Sequence, residues 1–267
     1  MIRGALLFAY NNDTCNYFKQ AEITACRINH FLNLPVTLVT DENSLPENPL
    51  NVFDRIIITE PNKENKKFRE VWINKNRYRA YELSPYDETL LLDTDYVINS
   101  DKLLQIFKLY SDFCCYNTTN FLMTENKFVE HLSQFSYKTD WATVVYFRKT
   151  KKCRQIFDCM KMIQDNYLHY ANLHNFLVEP FRNDYALTLA RRIVQGQTEV
   201  ERESIPWSLT HIGDKTKVYK TNSNFFDTEF LIVYDKWMNG KIKKEYISIK
   251  DYDFHLMDKE NFMELWT

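Results

Sequence analysis

At 267 residues, with 45% hydrophobic and 15% aromatic side chains, the chain has enough apolar surface for one large α/β domain or two small ones. That composition excludes a disordered or low-complexity polypeptide. Its 34 Lys and Arg against 36 Asp and Glu leave a formal net charge of -2, so no global field draws it to nucleic acid or to an anionic membrane. The basic clusters Lys63 to Lys67, Lys149 to Arg154 and Lys241 to Lys244 are short and scattered, the pattern of solvated faces rather than of a phosphate-binding stripe.

In chain order, Gly4 to Tyr10 reads as an apolar first strand. Tyr17 to Phe31 has helical spacing, with Ala21, Ala25, Ile28 and Leu32 on one side. Val36 to Val39, closed by Thr40-Asp41, is a second strand and Arg55 to Ile58 a third, separated by a Pro- and Asn-rich loop over 43–51. A helix is expected over Val71 to Leu83. It is followed by a strand of leucines alone, Leu90 to Leu92, which must be covered on both faces. Further on, the pattern predicts a helix from Asp101, its cap, to Tyr110, then strands over Phe113 to Tyr116 and Thr143 to Phe147. A long helix from Lys152 to about Tyr170 and a shorter one from Asn183 to Val194 come next. Glu199 to Thr267 is rich in aromatics and reads as loops, short strands and a final segment. Without a repeat or a linker, residues 1–267 are expected to form a single domain, with 1–100 and 101–267 as its two halves.

Six cysteines, at 15, 26, 114, 115, 153 and 159, include no Cys-x-x-Cys pair and follow no clear secretory signal, the usage of a reducing compartment. Nowhere do about eighteen uncharged apolar residues run together, so no membrane span is expected and a cytoplasmic protein is. The chain holds only four glycines, at 4, 196, 213 and 240. A Walker loop, a Gly-x-Gly-x-x-Gly turn and the glycine-rich loop of sugar nucleotidyltransferases all need clustered glycines, so all three are excluded.

The leucine strand ends abruptly in Asp93-Thr94-Asp95, at the carboxyl end where open α/β sheets place ligands. Two readings are open. The carboxylates could form a strand-end turn or a cap. Alternatively, because alternate side chains of an extended strand point the same way, both could converge on one hard divalent cation, which would bridge a diphosphate. Asp101 is the better cap, because it directly precedes the apolar-periodic run Leu103, Leu104, Ile106, Phe107.

The order of these parts resembles the GT-A fold of nucleotide-sugar glycosyltransferases, specifically the glycogenin and lipopolysaccharide galactosyltransferase type. The chain is also similar, nearly end to end, to glycosyltransferases carried by tailed bacteriophages. Residues 33 to 41 (NLPVTLVTD), 81 to 95 (YELSPYDETLLLDTD), 157 to 163 (FDCMKMI) and 181 to 187 (FRNDYAL) carry the likeness.

The resemblance implies a mixed central sheet flanked by helices, a UDP-sugar donor, Mn2+ or Mg2+, and transfer to a hydroxyl with retention of configuration. It implies that Tyr10, Asn11, Asn12 and Tyr17 hold the uracil, although a buried tyrosine is equally a packing residue. Arg77 would reach the donor, with Arg79 as its competitor. His255, in Asp253-Phe254-His255-Leu256-Met257-Asp258-Lys259, would be the third metal ligand after Asp93 and Asp95, and Lys259 the diphosphate contact. That segment departs from the family's His-x-x-Gly-x-x-Lys, with Asp at 258 and an earlier Lys. Asp184, in Asn183-Asp184-Tyr185-Ala186-Leu187, matches the family's catalytic carboxylate, with Tyr185 in place of Gln. The competing reading makes Asn183 or Asp184 a helix cap. Asp140-Trp141-Ala142-Thr143 stands where relatives have Asn-x-Gly. The acceptors consistent with a phage enzyme are a modified base in phage DNA, a glycan or a virion protein.

Two other classes compete. Asp93-Thr94-Asp95-Tyr96-Val97 satisfies the signature of haloacid-dehalogenase-type phosphatases, which closes the first strand in that family, whereas three strand candidates precede it here. A non-catalytic nucleotide-sugar or carbohydrate-binding protein could also retain the fold without the chemistry.

Overall fold

The computed structural model describes residues 1–61, 74–121, 127–178, 180–198, 203–213, 216–238 and 241–266. The basic cluster Lys63 to Lys67 and the expected helix start at Val71 lie outside the described residues. Strand β1 (Arg3–Phe8), helix α1 (Tyr17–Leu32), β2 (Val36–Asp41) and β3 (Arg55–Thr59) are followed by a 3-10 helix (Lys75–Arg79) and the single turn α2 (Ala80–Leu83). Next come β4 (Glu88–Leu92), β5 (Tyr96–Val97), a second 3-10 helix (Lys102–Lys108), β6 (Phe113–Tyr116), β7 (Thr119–Phe121), β8 (Lys127–Phe128) and β9 (Trp141–Arg148). The remainder is α3 (Lys151–Asp165), α4 (Tyr167–His174), α5 (Asn183–Val194), β10 (Leu209–Ile212), β11 (Lys217–Lys220), β12 (Glu229–Met238), β13 (Lys241–Lys250), β14 (Phe254–Leu256) and α6 (Lys259–Glu264).

Among the described residues the central sheet runs β3-β2-β1-β4-β9-β6, with β3, β2, β1 and β4 parallel and β9 antiparallel to β4. Its inner strands β2, β1, β4 and β9 are buried along nearly their whole length because both faces are covered. Ala5, Leu7, Leu90 and Leu92 pack with α1 residues Ala21, Ala25 and Ile28 and with Leu103 and Ile106. Leu6, Phe8 and Leu91 face the other way, onto Ile156 and Met160 of α3 and Leu187 and Ala190 of α5. The fold is therefore α/β with a mixed central sheet and flanking helices. Because β2 and β3 lie to one side of β1 and β4 to the other, the strand order reverses between β1 and β4, and the crevice beyond their carboxyl ends is the topological switch point. A second sheet, β5-β14-β10-β7-β8, lies beyond β4, and β11-β12-β13 form a third.

Several elements depart from the sequence reading. The segment before β4 is 3-10 over 75–79 with only one α-turn after it. Residues 102–108 are also 3-10: Leu103 and Ile106, three apart, fall on the same buried side. Asp101 occupies the cap position without a side-chain bond, and Ser100 Oγ accepts from the Lys102 N–H at 3.3 Å instead. The expected long helix is two, broken at Asn166, whose Nδ2 takes the Met162 carbonyl at 2.9 Å and competes with the backbone ladder. The carboxyl third holds the expected short strands, β10, β11 and β14, and in addition two ten-residue strands, β12 and β13. All six cysteines are free, and no helix among the described residues is long and apolar enough to cross a membrane.

Among the described glycines, Gly4 is the one on which packing depends. A Cβ there would lie 2.3 Å from the ring of Tyr86, which is buried and fixed by a 2.8 Å bond to Thr37. Gly4→Ala should therefore lose about 1–3 kcal/mol in urea unfolding, and an unchanged midpoint would show that the ring moves freely.

Candidate metal and nucleotide site

Strand β4 stops at Leu92, and Asp93 to Tyr96 form a turn closed by the Tyr96 N–H on the Asp93 carbonyl at 3.2 Å. Strand alternation is thus not what aligns the carboxylates; the turn is. Helix α1 holds it from inside, with Thr24 Oγ1 donating to the Thr94 carbonyl at 2.6 Å and Thr94 Oγ1 to Gln20 Oε1 at 3.1 Å. The Leu256 N–H donates to the Asp95 carbonyl at 3.1 Å, and β14 pairs with β5 so that His255 lies opposite Tyr96. One ligand atom from each of Asp93, Asp95 and His255 lies within 4.8 Å of the others.

Both carboxylates carry a counter-charge. Arg77, buried on the 3-10 helix, meets Asp93 Oδ1 with Nη1 at 2.7 Å and gives Nη2 to the Ala142 carbonyl. Its competitor Arg79 is half-buried and pairs with Glu82, at 3.8 Å. Lys259, the first residue of α6, sets its Nζ against Asp95 Oδ2. Burial pushes the Lys259 ammonium down to about 8, against the opposing pull of Asp93.

A residue the sequence reading missed completes the cluster. His211 of β10 pairs in parallel register with His255, and the two Nδ1 atoms lie 3.2 Å apart. His255 Nε2 is 3.1 Å from Asp95 Oδ2. A carboxylate only accepts, so His255 donates through Nε2, its Nδ1 accepts, and His211 donates from Nδ1. Burial, and after it the nearby His255 and Arg182, pull His211 down to about 3. The signal for it was a histidine inside the β-prone run Leu209-Thr210-His211-Ile212.

Asp184 is the second residue of α5, and neither it nor Asn183 caps the helix: Arg182 takes the cap position without a side-chain bond. Asn183 Nδ2 donates instead to the Asn74 carbonyl at 2.8 Å. Asp184 Oδ1 accepts the Ala142 N–H at 2.8 Å and Oδ2 an Arg182 Nη2–H at 3.2 Å. The Ala142 backbone, through its N–H and its carbonyl, thus joins Asp184 on one side to Arg77 and Asp93 on the other. Asp140 is buried and pairs with Arg191 at 2.6 Å, which gives this position a structural role.

The loop after β1 borders the same crevice. Tyr10 is 1% exposed, with its hydroxyl 3.1 Å from Thr59 Oγ1, so here it is a packing residue. Asn11 bonds Ser44 and accepts the Phe18 N–H at 2.9 Å, while Asn12 Oδ1 accepts from Thr14 and Cys15 and shapes the loop. Tyr17 is buried near Asp93 and Cys15, and burial raises its hydroxyl well above the ordinary value.

No family model matches the sequence, and no curated protein matches it. Among solved structures the chain is similar to the glycosyltransferase GlyE of Streptococcus pneumoniae TIGR4, at 12% identity and a TM-score of 0.43 over 77% of this chain. The match spans 46% of GlyE, less than half of that protein. It is also similar to the galactosyltransferase LgtC in complex with donor and acceptor sugar analogs, at 13% identity and a TM-score of 0.46 over 68% of this chain and 69% of LgtC.

His211 has a pH signature. Unfolded, it takes a proton below its ordinary 6.5; folded, it stays neutral down to about 3, so it costs stability as pH falls through that window. The stability advantage of the native chain over His211→Asn should shrink by about 1.4 kcal/mol per pH unit there, read from urea midpoints. A constant gap would mean that His211 titrates at its ordinary pH.

Proposed function

We infer that this protein is a metal-dependent glycosyltransferase of GT-A type, moving a sugar from a UDP-sugar to a hydroxyl acceptor with retention of configuration, and acting as a single domain over 1–267. The observation that carries the reading is the convergence of Asp93, Asp95 and His255 at the switch point of the mixed sheet, with Arg77 and Lys259 beside them. Two carboxylates and an imidazole, with ligand atoms within 4.8 Å of one another, are a donor set that suits Mn2+ or Mg2+. A divalent cation there would supply Lewis-acid stabilisation to the departing diphosphate.

The chain's own residues divide the remaining work. Arg77 and Lys259 would add positive charge where the leaving phosphate develops its own. Asn11, Asn12 and Tyr17, at the β1 side of the crevice, lie where the base of a nucleotide bound at the switch point would rest, with Tyr10 supporting them from the core. Asp184, held by the Ala142 amide and Arg182, would receive a hydrogen bond from the acceptor hydroxyl or stabilise the positively charged sugar. To ligate through Nε2, His255 would carry its proton on Nδ1 and donate it to His211. The likeness to phage glycosyltransferases makes a modified base in phage DNA, a glycan and a virion protein the acceptors to screen, with the host cytoplasm as the place of action.

UDP with Mn2+ together should raise the melting temperature, with a stabilisation of about 2.7 kcal/mol at a hundred times Kd, while either alone does little. Asp95→Asn should abolish the response. Asp184→Asn should keep it and lower transfer by about 10²–10⁴-fold. Hydrolysis of an aryl phosphate dependent on Asp93 would instead identify a phosphatase, and binding without turnover on any acceptor a carbohydrate-binding protein.

A further inference from the structure

We propose that Lys259 is a resident counter-ion that the metal must displace, so that the site takes up the cation and a nucleoside diphosphate jointly rather than the cation alone. This rests on the reading of Asp93, Asp95 and His255 as metal ligands. Lys259 Nζ lies against Asp95 Oδ2, the same oxygen that His255 Nε2 approaches at 3.1 Å. A cation taking that oxygen would meet the ammonium already seated on it, so ligation through Asp95 Oδ2 requires the ammonium to move aside.

Charge counting shows the consequence. With Arg77 on Asp93 and Lys259 on Asp95, two carboxylates are matched by two cations and the cluster is neutral. A divalent ion alone would leave two positive charges uncompensated in a place where Asp95 is nearly fully buried. The negative diphosphate restores the balance and offers the released ammonium a new partner. The backbone allows this exchange. Asp258 caps α6 by accepting the Asn261 N–H at 2.9 Å, which fixes the main chain at 259, whereas the Lys259 side chain, its ammonium buried, keeps 28% of its surface exposed.

The test is Mn2+ titration, read by electron paramagnetic resonance, with and without UDP, on the native chain, Lys259→Met, Asp95→Asn and Lys217→Met. The last removes a lysine that pairs with Asp258 and Glu264 outside the cluster. In the native chain UDP should tighten Mn2+ by about tenfold or more. Lys259→Met should bind Mn2+ alone about tenfold more tightly than the native chain and lose most of the gain from UDP. Lys217→Met should behave as native. Lys259→Gln, with an uncharged polar tip, gives the same comparison should the Met variant fail to fold. If Mn2+ binding depends on Asp95 but is unchanged by removing the Lys259 charge, the exchange is wrong and the metal site stands. If the native chain binds no Mn2+ even with UDP, the metal reading falls and the exchange with it.

Discussion

Two carboxylates crowded at the end of a buried strand must be neutralised, and that requirement organises the crevice. Asp95 is almost without solvent, and a ligand atom of Asp93 lies within 4.8 Å of it. Like charges that close raise each other's cost of ionisation unless opposite charges and donors arrive. They come from distant parts of the chain: Arg77 from the 3-10 helix before β4, Lys259 from the last helix, and His255 Nε2 from β14. The amino- and carboxyl-terminal parts of the chain therefore meet at one turn. The same positive groups that balance the turn stand ready for an anionic ligand.

The entry to β9 is the second organising element, and one face of α5 grips it. Asp184, Thr188 and Arg191, spaced four and three apart, share that face. Asp184 accepts the Ala142 amide, Thr188 Oγ1 accepts the Asp140 amide at 2.7 Å, and the Arg191 guanidinium meets the Asp140 carboxylate. The segment they hold gives its Ala142 carbonyl to Arg77 and its Thr143 carbonyl to the Asp93 amide at 2.9 Å. A shift of α5 would therefore be felt at the carboxylate turn. Asp184 is both a candidate for chemistry and part of this mounting.

How much of this was legible in the sequence depended on whether the signal was local. The leucine strand, the α1 face of Ala21, Ala25 and Ile28, and the bounds of α5 are periodicities within one element, and the structure has them where the spacing put them. The 3-10 helices were not legible, because Leu103, Leu104, Ile106 and Phe107 suit a 3-10 and an α spacing alike until the packing partner is known. The Asn166 break was visible only as one polar residue in a long amphipathic run. Within the site, Asp93, Asp95, His255, Lys259 and Arg77 were candidates from the sequence whose side chains the fold brings together, with Asp184 linked to them through Ala142. Their partners were hidden for a physical reason. Asp140 meets Arg191, and His211 meets His255, only through tertiary pairing, which leaves no spacing to read along the chain.

His211 shows why such a partner matters. Because β10 and β14 run parallel and in register, the two imidazoles project from neighbouring positions, and their Nδ1 atoms face each other across 3.2 Å. Two neutral rings so placed can share only one proton between those nitrogens, so the proton on one ring dictates the tautomer of the other. While Asp95 accepts from His255 Nε2, the shared proton belongs to His211. A cation taking the Nε2 lone pair would require it to belong to His255. A ring that can donate or accept at the same nitrogen accommodates both states without moving, which a fixed donor such as asparagine Nδ2 or a fixed acceptor such as a carbonyl could not do. The pair of histidines thus suits a site whose occupancy changes, and that property resides in the pairing of two strands rather than in either residue.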